Sequence, residues 1–415
     1  MNKIKRFFGE LLGDKYYCGL DIGTQKIKAC LSRVHDAESL DLLAVYESDT
    51  KGFKDSSVND ISDFSSAIGT TLDALVKKTQ VRFRDVSFSV GGDLIETRVS
   101  RAVIPLAERG NKLITDHDVR DVRRQACLLG ARLDEEVLCD FVRYFKVDDI
   151  NIALNPIGLY GRKIEVEVMM VVANVTRLRN ISKAIKQSGF EVNNVFFSGQ
   201  VLVDTLMDKN KRNDGSIMID IGSKTTQILV FKEGLLKHYA EVPFGGEYIT
   251  RRIAELLGIS RELAEDIKRS YARVAESVTS SDEEILIKKE QGFVPVKRAL
   301  LNEAVESEVQ GLIKHVRDAV ESSGYAGQLK GGILMVGGCV LLPGLMERVE
   351  RELKMPVSLG RNISGLSNSA SFCTASSIAE ASYKGTARYF LDTRKPKDWL
   401  TSLQGKVEEL CNEYF

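Results

Sequence analysis

The chain has 415 residues, 43% of them hydrophobic and 28% charged, which is enough to bury more than one core, so at least two domains are expected. Its 58 basic and 58 acidic residues cancel, which removes the long-range field that would draw a nucleic acid. Seven cysteines stand singly without a CxxC spacing, which argues against zinc and a disulfide framework and fits a reducing cytoplasm. No apolar run is long enough to span a bilayer, and the N-terminus lacks the apolar stretch and cleavage site of a signal peptide.

Residues 16–31 read as a strand, a turn at Gly23-Thr24, and a second strand carrying Ile27, Ala29 and Leu31. Ile61, Phe64, Ile68, Leu72, Leu75 and Val76 recur at helical spacing. Val86 to Val90 is a short strand ending at Gly91-Gly92, and Thr115-Asp116-His117-Asp118 opens a helix carrying Val119, Val122, Ala126 and Leu129. Val166 to Ala173 is a nearly continuous apolar strand of the kind covered on both faces, followed by a helix from Thr176 to Ser188 that Gly189 ends. These elements make an α/β layer structure.

The centre of the chain repeats its beginning. Residues 217–231 again run from an apolar strand into Asp220-Ile221-Gly222, through a polar turn, and into a second apolar strand. Two such units about 200 residues apart imply two related domains facing each other. A third turn, Gly337-Gly338, follows the apolar run from Ile333, and Leu341 to Leu345 opens another helix.

These turns suit one kind of ligand. A glycine turn between strands presents backbone N–H groups in a concave loop, and the missing Cβ lets phosphate oxygens approach. Asp21 and Asp220 stand just before matched turns, where two carboxylates can hold a hydrated Mg²⁺ between them while the turns clamp phosphates.

The stretch from Gly19 to Lys28 resembles the first phosphate motif of the actin, sugar-kinase and heat-shock chaperone superfamily. Residues 220–226 resemble its second phosphate motif, and residues 331–344 its adenosine motif. Pro243 to Thr250, followed by Ala264-Glu265 and Lys268, is similar to the segment of the FtsA family that meets the nucleotide. Ile114 to Val119 and Pro156 to Val166 resemble the small α/β insert by which that family differs from actin. The resemblance covers residues 16–385, and the pilus-assembly PilM proteins are the runner-up.

The resemblance implies an α/β, actin-like (ribonuclease H-like, duplicated) fold with two lobes around a nucleotide cleft. It places the first lobe at residues 16–83, 164–197 and about 365–387, the insert at 84–163, and the second lobe at 198–364 with an outer subdomain at 251–324. It further implies that Gly23, Thr24, Gln25, Lys28, Gly222, Ser223, Lys224, Thr225, Thr226, Gly245, Gly246, Glu265, Lys268, Gly337 and Gly338 hold ATP, with Mg²⁺ at Asp21 and Asp220. Glu265 and Lys268 would grip the ribose and purine; without the resemblance, they read as a solvated i,i+3 ion pair.

Three departures from the family pattern bear on activity. Ser223 and Lys224 replace glycines of the second phosphate turn, Gln227 replaces its closing acid, and Ser198 stands where an acid or amide orients the attacking water, with Gly199 in place of a proline. Gln200 lies nearby. At most a slow ATPase is expected, with no catalytic residue assigned.

The family's partners would be further copies of the chain in filaments, an FtsZ-like cytoskeletal protein, and the inner face of the cell membrane, with no nucleic acid. A PilM-like scaffold bound to a pilus component and, further off, a phosphotransferase are the alternatives. At the ends, Ile4, Phe7, Phe8, Leu11 and Leu12 form one stripe beside Lys3, Lys5 and Arg6 at residues 1–15. A linker at 388–397 precedes a second amphipathic segment at 398–415, whose Glu408, Glu409 and Glu413 oppose anionic lipid.

Overall fold

The computed structural model describes residues 15–34, 39–107, 110–149, 151–153, 155–274, 284–289, 292–361 and 369–385. The amphipathic segments and linker expected at the two ends lie outside the described residues, Lys15 excepted.

The chain enters on an antiparallel meander of β1 (Tyr16–Ile22), β2 (Lys26–Val34) and β3 (Leu40–Asp49). A short hairpin of β4 (Phe53–Lys54) and β5 (Ser57–Val58) leads into helix α1 (Ile61–Thr79). The apolar spacing is realised there: Phe64, Ile68, Leu72 and Leu75 are fully buried, and Asp60 caps the helix by accepting from the N–H groups of Ser62 and Asp63. β6 (Asp85–Val90) then pairs in parallel with β1.

The next segment builds a separate sheet. Its elements are β7 (Ile95–Pro105), β8 (Lys112–Leu113), α2 (Asp116–Gly130), β9 (Glu135–Val147), β10 (Asn151–Ala153), β11 (Tyr160–Gly161) and β12 (Lys163–Asn174). The order β10-β9-β12-β7 is antiparallel throughout, and β8 pairs with β11 beside it. Thr115 and Asp118 close a capping box on α2, whose Val122 and Ala126 pack over Val166 and Val168.

The insert therefore occupies a different span from residues 84–163. Strand 85–90 belongs to the first lobe's sheet, and strand 163–174 is central to the insert's sheet. The apolar run at 166–173 does not separate these assignments, because β12 is covered on both faces either way. Its Val166 and Val168 join the insert core, while Met169, Val171 and Ala173 join the first lobe's. Leu129 is 64% exposed rather than packed, since α2 ends at Gly130, whose close seat on Ser100 and Met170 sets the end of the helix against the sheet.

After α3 (Val175–Gln187), β13 (Glu191–Phe197) completes the first sheet in the order β13-β6-β1-β2-β3. Helices α4 (Ser198–Leu206) and α5 (Lys209–Asp214) lead to the second lobe. Its elements are β14 (Ser216–Ile221), β15 (Thr226–Lys232), β16 (Leu235–Val242), α6 (Gly246–Leu257), α7 (Arg261–Tyr271), the hairpin β17 (Glu284–Lys289) and β18 (Gly292–Lys297), α8 (Arg298–Ser322), β19 (Ile333–Val336), α9 (Leu345–Leu353) and β20 (Val357–Leu359). Helix α10 (Cys373–Tyr383) returns to pack on β1.

The second sheet runs β16-β15-β14-β19-β20, with the same two antiparallel and two parallel pairings as the first. The repeat seen in the sequence is thus a repeat of topology. Side chains of its strands alternate between two cores: Ile217, Ile219, Ile228, Val230 and Met335 face the outer helices, while Met218, Leu229, Phe231 and Val336 join the core shared with the first lobe. Covering both faces explains why these strands read as continuous apolar runs. A chain of edge-on rings, Phe141–Phe197–Tyr239, ties the insert to the first lobe and the first lobe to the second. Among the described residues, no helix is long and apolar enough to cross a membrane.

Candidate functional site

Between the two sheets lies a cavity of about 480 Å³, a volume suited to a small-molecule ligand. The topological repeat positions its polar groups. Gly23 N–H donates to Lys26 O at 3.0 Å, and Gly222 N–H donates to Thr225 O at 3.0 Å, so both turns close alike. Asp21 pairs with Lys28 across β1–β2 as Asp220 pairs with Gln227 across β14–β15. Lys28 and Gln227 are therefore the same position in the two halves.

Asp21, Gly23, Thr24, Gln25, Lys28, Asp220, Gly222, Ser223, Lys224, Thr225, Gly246, Glu265, Lys268, Gly337 and Gly338 all line this cavity. Two residues of the expected set do not. Thr226 is fully buried, its hydroxyl donating to Phe244 O at 2.8 Å. Gly245 supports the turn from behind: a Cβ there would lie 2.4 Å from Ser223 O. Gln200 is also absent from the lining, whereas Ser198 faces the cavity.

The electrostatics of the cavity floor are unusual. Burial, and then the neighbouring Asp21, pushes the Asp220 carboxyl up to about 7, with Lys28 opposing. Burial also raises Asp21, again against Lys28. Lys28 itself donates to Ser371 O at 2.9 Å. Two acidic groups crowded at one point present an electrostatic demand for a cation. Among the described residues no three ligating side chains converge, so a metal here would complete its shell from water and phosphate, as Mg²⁺ habitually does.

At the α6 and α7 side of the cavity, Glu265 and Lys268 are more than a surface pair. Lys268 Nζ donates to Glu265 Oε2 at 2.6 Å, to Gly246 O at 3.0 Å and to Thr250 Oγ1 at 2.9 Å. Arg269 donates to Glu265 Oε1 at 2.9 Å. Burial works to raise the Glu265 carboxyl, but Lys268, Thr250 and Arg269 outweigh it and hold the group below its ordinary value. Cys339 lines the same region, and burial pushes its thiol up to about 11, so it stays protonated.

At one wall of the cavity, Ser198 and Gln227 meet each other. Gln227 Nε2 donates to Ser198 Oγ at 3.2 Å, and both are buried. Gly91 lies against both side chains, and it lines the cavity together with Gly92 and Asp93. Sequence reading missed these three residues, although a signal was present: Val90-Gly91-Gly92 ends β6 just as Val336-Gly337-Gly338 ends β19, its counterpart in the repeat.

Comparison with known proteins identifies the architecture. The family described as "Cell division protein FtsA" matches residues 217–377, and the "SHS2 domain inserted in FTSA" matches residues 92–172. The two segments together span more than half of the chain. The chain belongs to the FtsA family.

FtsA of Streptococcus pneumoniae is 27% identical over 345 residues, covering 83% of this chain and 75% of that one. FtsA of Escherichia coli K12 is 25% identical over 367 residues, covering 86% and 87%. Among solved structures, the PilM-PilN type IV pilus biogenesis complex matches with a TM-score of 0.64 at 14% identity, over 88% of this chain and 98% of that chain. MreB5 of Spiroplasma citri bound to ADP matches with a TM-score of 0.52 at 11% identity, over 90% and 97%. These likenesses establish the actin-like α/β fold, and the second family match accounts for the insert characteristic of FtsA.

Proposed function

We propose that this FtsA-family chain binds ATP with Mg²⁺ in the interlobe cleft, turns it over slowly, and self-associates to tie an FtsZ-like partner to the inner face of the cell membrane. The observation that carries the nucleotide reading is the meeting of Asp21 and Asp220, one from each lobe, at the floor of a cavity walled by glycine turns of both lobes. Bound Mg²⁺ would add positive charge between these carboxylates beyond what Lys28 supplies. The solved MreB5 structures carry ADP or AMPPNP, which supports a nucleotide in a cleft of this fold.

Slow turnover follows from the Ser198–Gln227 contact. A hydroxyl and an amide can hold water by hydrogen bonds, but neither can accept its proton as a carboxylate would. Calorimetry with Mg²⁺-ATP should show binding that chelation of the metal weakens, with phosphate release below about 1 s⁻¹. Turnover above that rate would make the protein an enzyme first.

The PilM-PilN structure supports the second reading, a scaffold for a pilus component, at the level of fold. The membrane tether is assigned to residues 1–15 because Lys3, Lys5 and Arg6 favour anionic lipid, at about 1 kcal/mol each near the surface, while Glu408, Glu409 and Glu413 oppose it. Removal of residues 1–14 should release the chain from anionic liposomes in co-sedimentation. Release by removal of residues 398–415 alone would move the anchor to the other end.

A further inference from the structure

Lys224 belongs to the second lobe's phosphate turn, yet its ammonium crosses the cleft. It donates to Asp55 Oδ1 at 2.9 Å, a residue 169 positions away at the tip of the β4–β5 hairpin. Both side chains line the cavity that the glycine turns enclose. From this geometry we infer that the Lys224–Asp55 pair is a lock across the cleft mouth, and that Lys224 exchanges Asp55 for a nucleotide phosphate when the cleft fills. The inference rests on the nucleotide-binding reading above.

The two partners differ in freedom. Asp55 and Ser56 form a tight turn with both residues left-handed, at φ 47° and 55°. The hairpin beneath them is pinned, because Phe53 is 6% exposed and stacks on Phe64 with ring centres 5.1 Å apart. Gly52 sits so close to α1 that a Cβ would lie 2.1 Å from Asp60 O. Asp55 therefore offers a fixed, short carboxylate. Lys224 carries the only long flexible stem of the pair, so it is the partner that moves.

Charge sets the direction of the exchange. The side chains are 32% and 71% exposed for Lys224 and Asp55, and an ion pair so open to water contributes little. Asp55 titrates below its ordinary value because Lys224 hydrogen-bonds to it, so its carboxylate is charged at neutral pH. A polyphosphate carries more charge than one carboxylate and arrives at the turn from which Lys224 projects, so it outcompetes Asp55. Until then, the pair bridges the two lobes at this point.

The test is a double-substitution cycle read by calorimetric affinity for Mg²⁺-ATP, beside adenosine, which has no phosphate, read by displacement of a fluorescent ATP analogue. Lys224→Ala, and Lys224→Gln as a bulkier replacement, should weaken ATP binding about tenfold and leave adenosine within about twofold. Asp55→Asn should tighten ATP about threefold, and this gain should vanish in the Lys224→Ala background. A gain that persists there would show simple repulsion by Asp55 and overturn the lock. Equal losses for ATP and adenosine would make Lys224 a structural residue and overturn it too. Absence of ATP binding by the unaltered protein would instead refute the nucleotide reading itself.

Discussion

Asp220→Asn should make the metal-free protein more stable and, at the same time, cost it at least about tenfold in Mg²⁺-dependent ATP affinity. Both effects have one cause. Burial beside Asp21 pushes the Asp220 carboxyl from 3.8 up to about 7, so the folded state binds this proton more tightly than the unfolded chain does. The group's contribution to stability is therefore fully present below about pH 4 and is lost as pH rises through about 7. Displacement over that range is worth on the order of 4 kcal/mol at most, and solvent in the open cleft reduces it. Denaturation of the metal-free protein at pH 5 and pH 8 should show a decline that the Asn variant lacks in this share. Mg²⁺-ATP should restore stability at pH 8 in the unaltered protein more than in the variant. Unchanged affinity and metal dependence would reduce Asp220 to a turn residue.

Gly337→Ala should cost about 3 kcal/mol or more in stability and remove nucleotide binding with it. Gly337 has φ 95° and ψ 169°, a region that a residue with a Cβ does not enter comfortably. A Cβ would also stand 2.4 Å from Ile221 O and 2.6 Å from Asp220 Oδ1, so any accommodation displaces the carboxylate that the site depends on. Gly158, another glycine of positive φ at 86°, has nothing within 4 Å of such a Cβ. Gly158→Ala therefore serves as the internal comparison: strain alone, about 1–2 kcal/mol, with affinity intact. Urea midpoints at constant slope separate the two. Equal losses at both positions would show that only backbone conformation matters at Gly337, and that its closeness to Asp220 does not.

Local chemistry made much of the site legible. Asp21-Ile22-Gly23 and Asp220-Ile221-Gly222 each end an apolar strand in a glycine turn, and those residues alone require a strand, a reversal and exposed N–H groups. Helix α1 was equally readable, because its apolar stripe lies within one short window. What depends on neighbours distant in the sequence was not readable. Whether Val166 to Ala173 serves the insert or the first lobe is decided by which strands flank it, and a strand covered on both faces carries no periodicity to tell. Glu265 and Lys268 have the spacing of any solvated ion pair; only the approach of Gly246 and Thr250 on α6 turns them into a fixed polar wall. Lys224 and Asp55 show no sequence relation across 169 residues, and the fold alone brings them within 2.9 Å. The sequence by itself determined which groups the protein presents, since strand, turn and cap preferences are set by adjacent residues. Tertiary structure decided which of them face one another, because contact across a cleft depends on the packing of both lobes.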